Sequence, residues 1–249
     1  MTNLLQINPE IYTAEFVLGD DCHLWFLDLT QLPDAAINQQ QIVLSGHELT
    51  RARALKRRKQ EFIAMRAFVR LCLSRYTQTD PANLELQSTS KGKPFLANAK
   101  IPIKFNLSHC NNFAVLAIGL QFDIGVDIES ITRNRSQREI AARYFHPHEV
   151  AQLESLNETD HNIYFFRLWT LKEAFLKATG DGISAGLEKA EFALDGEKIT
   201  AQLADDLQTH VDNWQFYQTF ITSEFCVALA RHDKQAINVR WFNGMQLFL

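Results

Sequence analysis

Two short segments carry carboxylates and an ammonium at spacings suited to metal and phosphate chemistry. In "GVDIES" (125–130), Asp127 and Glu129 stand two apart, and on a strand such residues point to the same face while Ile128 points the other way, toward a core. Two adjacent carboxylates repel at a cost that grows as water is excluded. A cation relieves that cost, and paired carboxylates with a further oxygen donor suit Mg²⁺. Taken alone, the pattern more often marks a solvated strand end. In "RLWTLKEAFLKATGDG" (167–182), Trp169, Glu173 and Lys177 recur at i, i+4 and i+8, one face of a helix. If that helix crosses the strand, Glu173 offers a third carboxylate. Lys177 then stands beside the metal, where an ammonium fits a phosphate whose charge the metal shares. The plain alternative is a wet Glu–Lys pair worth only ~0.2–0.5 kcal/mol. Phe165, Phe166, Leu168, Phe175 and Leu176 around the ladder argue for a covered face.

Other polar groups point the same way, each weakly. "KGKP" sets Lys91 and Lys93 beside a Gly-Pro turn, and "NLSH" puts Ser108 and His109 at a strand end, where both can donate to a phosphate. Residues 51–59, "RARALKRRK", hold six basic residues in nine, balanced nearby by Glu48 and Glu61. "HPHE" is not read as a zinc motif, because His146 and His148 straddle a proline and lack a third ligand at usable spacing.

The elements that must position these groups form an α+β pattern. "HLWFLDL" (23–29) reads as a strand. From Gly46 to Tyr76, apolar residues recur at three- and four-residue steps, which predicts one long helix. Ser45 with Glu48 three residues on forms a capping box. "IKFNLSH" and "FAVLAIG" predict a hairpin turning at Cys110–Asn112, and "FDIGVDIES" (122–130) another strand. "SQREIAARYF", "HPHEVAQLESL" and "IYFFRLWTLKEAFLKAT" predict three helices, with Pro147 in the first turn of the second. "WQFYQTFIT" and "EFCVALARH" return to strands. The hairpin "FNLSHCNNFAVLAIG" echoes "FYQTFITSEFCVALAR". The expectation is two similar halves, each a long helix on a small antiparallel sheet, related by a pseudo-twofold duplication. They divide into residues 1–123 and 124–249.

Bulk composition narrows the classes. A chain of 249 residues with 46% hydrophobic and 22% charged residues is an ordinary globular protein, and its net charge of −4 speaks against a polyanion binder. Cys22, Cys72, Cys110 and Cys226 include no C-x-x-C pair, which suits reduced thiols in the cytoplasm. "MTNLLQINPEIYTAEF" lacks the basic and apolar regions of a signal peptide. "FAVLAIGLQF" is too short to span a bilayer.

"GKPFL", "FNLSHCNNFAVLAIG", "IGVDIE" and "FFRLWTLKEAFLKATGDGIS", in this order, closely resemble the phosphopantetheinyl transferases of the surfactin-synthetase-activating type. The motif-bearing region runs from about residue 46 to 184. The resemblance implies two α+β halves with coenzyme A in the cleft between them, in a monomer. It implies Mg²⁺-dependent transfer of 4′-phosphopantetheine from coenzyme A to a serine of an apo acyl or peptidyl carrier protein; whether Mn²⁺ serves in place of Mg²⁺ is a choice the sequence leaves open. By motif position, Asp127, Glu129 and Glu173 hold the metal against the pyrophosphate, and Lys177 neutralises it. Lys93 and Pro94 lie by the adenine, and Ser108 and His109 by the 3′-phosphate. Glu173 takes the serine proton, or Glu149 of "FHPHEV" acts near the metal. Read from the sequence, Glu149 is equally a surface carboxylate at a helix start. Relatives hold the 3′-phosphate with basic residues before and at the start of the first long helix. Arg51 and Arg58 are the choices here, and Glu61 stands where many relatives carry a basic residue. Asp181 departs from the small polar residue or lysine often found there, with no functional meaning attached.

Two rival classes fit parts of the pattern. A Mg²⁺-dependent nuclease or phosphohydrolase also uses D-x-E with a further Glu and Lys, but it needs a broad basic surface for the phosphate backbone. A silent relative that only docks carrier proteins has no reason to keep Asp127, Glu129, Glu173 and Lys177 in a costly charged cluster.

Overall fold

The computed structural model describes residues 18–132, 136–180, 186–205, 207 and 209–249. The described residues divide into two compact units at Gln121/Phe122, with Ser90–Lys93 and Asn238–Leu249 each joining the unit across that division. The N-terminal sequence read for a signal peptide, Asp181 and the last residues of "TGDGIS" lie outside the described residues. Among the described residues, no helix is long and apolar enough to cross a membrane.

The first unit is built on a four-stranded sheet of order β11-β1-β5-β4. It comprises β1 (Cys22–Asp28), β4 (Ile103–Cys110), β5 (Phe113–Leu120) and β11 (Val239–Asn243). The sequence places the C-terminal residues with the second half. In the structure β11 instead runs parallel to β1, pairing Cys22 with Val239 through Phe26 with Asn243. All seven residues of β1 are buried, and an edge strand on that side covers backbone groups that β5 alone would leave unpaired. A short hairpin of β2 (Leu86–Ser88) and β3 (Pro94–Leu96) completes the described strands of this unit.

Helix α1 (Asp34–Gln39) is short, and the predicted helix from Gly46 to Tyr76 is in fact two: α2 (Gly46–Ala54) and α3 (Lys59–Thr77). Like charges three and four apart repel on a helix, and the break falls inside the basic run. Leu55 leaves α2 extended, and Arg58 enters α3 with a left-handed φ of 60°. The capping box at Ser45 and Glu48 is present. Glu48 does not balance the basic run, however. It is buried and takes Arg66 at 2.5 Å and Arg70 at 2.7 Å from α3. Burial pushes the Glu48 carboxyl up, but the Ser45 amide and these two guanidinium groups together hold it below its ordinary value. Ile63, Phe68 and Cys72 of α3 share one apolar core with Trp25 and Leu27 of β1 and Leu116 and Ile118 of β5.

The second unit holds the sheet β6-β10-β9, a β7–β8 hairpin and three helices. Its strands are β6 (Ile124–Ser130), β7 (Ala190–Asp195), β8 (Lys198–Leu203), β9 (Trp214–Thr222) and β10 (Phe225–His232). The helices are α4 (Gln137–Tyr144), α5 (Pro147–Glu154) and α6 (Glu158–Thr179). Asn157 caps α6 by accepting the Asp160 amide, and Gly180, at φ 77°, closes it in the left-handed conformation that glycine adopts without strain. Helix α6 lies across β6 and β10, and its Phe165, Phe166, Leu168, Leu171 and Phe175 are buried there. The segment Ser90–Lys93 belongs to this unit. No disulfide joins the four cysteines, and all are buried.

The closest approach of α6 to the sheet is at Gly125. A Cβ on that residue would lie 2.1 Å from the Ala174 carbonyl oxygen and 2.4 Å from the Ala178 amide nitrogen. Both are backbone atoms, so no rotamer change makes room. Gly125→Ala is therefore expected to push α6 off the sheet and cost about 1–3 kcal/mol or more. A denaturant midpoint within error of the wild type would show that the helix has slack at this point.

Candidate active site

Gly125, Asp127 and Glu129 alternate along one face of β6, the face on which α6 lies. The close contact at Gly125 therefore fixes how far the two carboxylates stand from the helix. Asp127 and Glu129 are 4% and 9% exposed, and Ile128, on the opposite face, is buried. Lys177 reaches across from α6 and places Nζ 2.6 Å from Asp127 Oδ1. Cys226, paired with Glu129 in the sheet, contacts Thr170 at 3.5 Å. Helix and strand thus run in opposite senses, with residues 174–178 by Gly125 and Thr170 by Glu129.

Glu173 sits between those two contact points, one turn before Lys177 on the same helix face. Trp169, Glu173 and Lys177 are all half-buried. The indole stacks against Phe165 with ring centroids 6.1 Å apart, so the ladder stands at the border of the core. Asp127, Glu129 and Glu173 carry three negative charges and Lys177 one positive. The balance of these four residues is two negative, which a divalent cation matches. The donors are all carboxylate oxygens, a set that suits Mg²⁺ and gives a thiophilic or imidazole-seeking metal nothing to prefer.

Glu149 lies elsewhere. Sequence reading allowed a surface carboxylate at the start of α5, and the structure buries it. Glu149 Oε2 accepts the His146 amide at 2.8 Å and stands 2.7 Å from Lys172 Nζ. Its Oε1 accepts the Phe192 amide at 2.8 Å. Lys172, 0% exposed, also donates to the carbonyls of Leu187 and Ala190. Burial pushes the Lys172 ammonium down from its ordinary pKa, and the Glu149 carboxylate pulls it back toward the charged form. Lys172 was not singled out from the sequence. The available signal was a lysine inside an otherwise apolar stripe of α6, between Leu171 and Phe175.

The remaining residues separate into groups. Lys93 Nζ donates to the Ala178 carbonyl at 2.5 Å, in the last turn of α6, where carbonyls lack helical partners. Pro94 begins β3 in the first unit. Ser108 is buried and His109 exposed, because neighbours on a strand face opposite ways. Arg58 forks onto Glu61, with Nε 2.7 Å from Oε2 and Nη2 2.6 Å from Oε1. His109 Nε2 stands 3.6 Å from the same Glu61 oxygen. Arg58 and His109 are thus gathered on the one carboxylate that the sequence marked as anomalous. Arg51 stacks its guanidinium over Phe62, 5.3 Å from the ring centroid.

Comparison with known proteins bears on most of the chain. Residues 123–230 match the 4′-phosphopantetheinyl transferase superfamily, and residues 39–120 match the N-terminal region of a 4′-phosphopantetheinyl transferase. The chain is 38% identical to the 4′-phosphopantetheinyl transferase HetI of a Nostoc species over 182 residues, which is 72% of this chain and 76% of that protein. It is 30% identical to a phosphopantetheinyl transferase of a Thraustochytrium species, over 80% of this chain and 79% of the relative. Its identity to the 4′-phosphopantetheinyl transferase Sfp of Bacillus subtilis is 33%, over 55% of this chain and 60% of Sfp. With the carboxylate–lysine cluster of β6 and α6 inside the matched span, the chain belongs to the 4′-phosphopantetheinyl transferase family.

Proposed function

We propose that the protein moves the 4′-phosphopantetheine arm of coenzyme A onto a serine hydroxyl of an acyl or peptidyl carrier protein. A bond forms between the serine oxygen and the phosphorus that bears pantetheine. The bond from that phosphorus to the bridging oxygen breaks, and adenosine 3′,5′-bisphosphate leaves. The observation that carries this reading is the Asp127–Lys177 contact at 2.6 Å beside buried Glu129, on the strand and helix that bear the family's motifs.

Asp127, Glu129 and Glu173 would hold Mg²⁺, which when bound neutralises the pyrophosphate oxygens as charge shifts to the leaving group. Lys177, already drawn to that cluster, adds a second positive charge on the leaving side. The carrier brings its own nucleophile, so the chain needs only a proton acceptor. Glu173, half-exposed on the ladder, suits this role. Glu149 does not, since both its oxygens are engaged in the interior. Its pairing with Lys172 instead fixes α6 and so the stance of Glu173 and Lys177. On the nucleotide side, Arg51, Arg58, Ser108 and His109 are assigned to the 3′-phosphate, and Lys93 and Pro94 to the adenine. Arg58 and His109 must then share or leave Glu61 when a phosphate arrives.

The direct test is intact mass of apo carrier proteins after incubation with the enzyme, coenzyme A and Mg²⁺. A gain of one phosphopantetheine is expected, abolished by EDTA and by Asp127→Asn. A chain that binds coenzyme A but modifies no carrier would sink the transferase reading in favour of a silent binder. Glu149→Gln separates structure from chemistry. It should cost about 3–5 kcal/mol of stability by stranding Lys172, and the added Lys172→Met should recover much of that. The folded double variant should keep its turnover, whereas a loss of ~100-fold or more is the scale of a lost general base. Glu61→Gln should lower KM for coenzyme A by up to about tenfold, roughly one recovered charge-assisted hydrogen bond. An unchanged KM would remove Arg58 and His109 from the phosphate site.

A further inference from the structure

We propose that His146, His148 and Glu191 form a second metal site, distinct from the carboxylate cluster, for Zn²⁺ or a similar first-row divalent cation. The sequence shows only "HPH", two histidines with no third ligand near them. The fold supplies the third from β7, 43 residues beyond His148. His146 Nδ1 lies 3.3 Å from Glu191 Oε2, and His148 Nδ1 lies 3.0 Å from Glu191 Oε1. The candidate ligand atoms of all three residues fall within 4.8 Å of one another. With metal bonds of about 2.0–2.1 Å, two ligands of a tetrahedral site stand roughly 3.3 Å apart. Both histidines already stand near that distance from Glu191, each from a different carboxylate oxygen.

Local structure explains why the two rings converge. Pro147 occupies the first turn of α5, and His146 is its extended N-cap residue at φ −63° and ψ 144°. The bend sets the imidazoles edge to face, with centroids 4.8 Å apart. Glu149 then locks the arrangement from beneath. Its carboxylate accepts the amides of His146 and of Phe192, the residue after Glu191. The backbones that carry two of the three ligands are thus pinned to one buried ion pair, the kind of outer support that orients metal ligands.

An imidazole nitrogen aimed at a carboxylate needs a proton or a metal between them, and both His146 Nδ1 and His148 Nδ1 are aimed at Glu191. Two imidazoles and one carboxylate are a donor set for Zn²⁺, Co²⁺ or Ni²⁺ rather than Mg²⁺. His148, with its side chain 79% exposed, leaves a fourth position open to solvent. The positive end of α5 works against a cation here, so binding is weaker than at a closed four-ligand site. An occupied site would staple α5 to β7 above the Glu149–Lys172 pair.

The test uses the full chain, stripped of metal and held in excess Mg²⁺ so that the carboxylate cluster is filled. Zn²⁺ is then titrated against a chromophoric chelator, and Co²⁺ is followed by its visible absorption. One Zn²⁺ per chain is expected, with Co²⁺ showing the strong bands of a four-coordinate site. His148→Ala and Glu191→Gln should each weaken Zn²⁺ by more than about 100-fold, beyond the usual cost of losing an outer-shell partner. Asp127→Asn should leave Zn²⁺ binding intact. The exposed His148 makes its alanine variant safe for folding. No saturable Zn²⁺ binding under Mg²⁺, undiminished binding in His148→Ala, or loss of binding in Asp127→Asn would each overturn the proposal.

Discussion

The backbone contact between β6 and α6 at Gly125 is the constraint on which the charged site depends. Ala174 and Ala178 come so near the strand that only glycine fits opposite them. That approach brings Lys177 within 2.6 Å of Asp127. A larger residue would hold the helix one side-chain layer away, and the lysine would reach water before it reached the carboxylate. Small residues on both surfaces are thus part of the electrostatics, because they set the distance over which the charges act.

Helix α6 carries its charges in two directions with opposite purposes. Lys177 and Glu173 stand half-exposed on the border facing β6, where a ligand can reach them. Lys172 points away from that border into an apolar interior and is held by Glu149 and two carbonyls. Burying such a pair is costly to assemble and more costly to break, so it restricts the rotation of the helix more sharply than apolar packing alone. The same Glu149 ties down both sides of the histidine cluster. One buried carboxylate therefore links the orientation of α6, the start of α5 and the backbone of β7.

In the first unit, the basic run that spans the end of α2 and the start of α3 is where sequence periodicity and electrostatics disagree. The apolar spacing continues through it, but the clustered cations do not tolerate a continuous helix. The chain breaks at Leu55 and restarts from a left-handed Arg58. The break turns that guanidinium onto Glu61, next to His109 of β4. A straight helix through the same residues would spread these charges around its circumference.

The sequence by itself determined the local elements and the residue types of the site. Period-two and period-3.6 patterns placed β6, α6 and the β4–β5 hairpin, and Ser45 with Glu48 marked the start of α2. D-x-E on a strand and W-x-x-x-E-x-x-x-K on a helix each fixed which side chains share a face, because side-chain direction within an element follows from backbone geometry alone. Tertiary structure decided everything that depends on distance between elements. It paired β11 with β1 and divided the long helix. It also took Glu149 from an apparent surface position to a buried lysine, and brought Glu191 to two histidines that had no third ligand. Such contacts join residues tens of positions apart, and no periodicity records them. They arise when the chain satisfies buried charge and backbone groups with whatever partner the fold brings near.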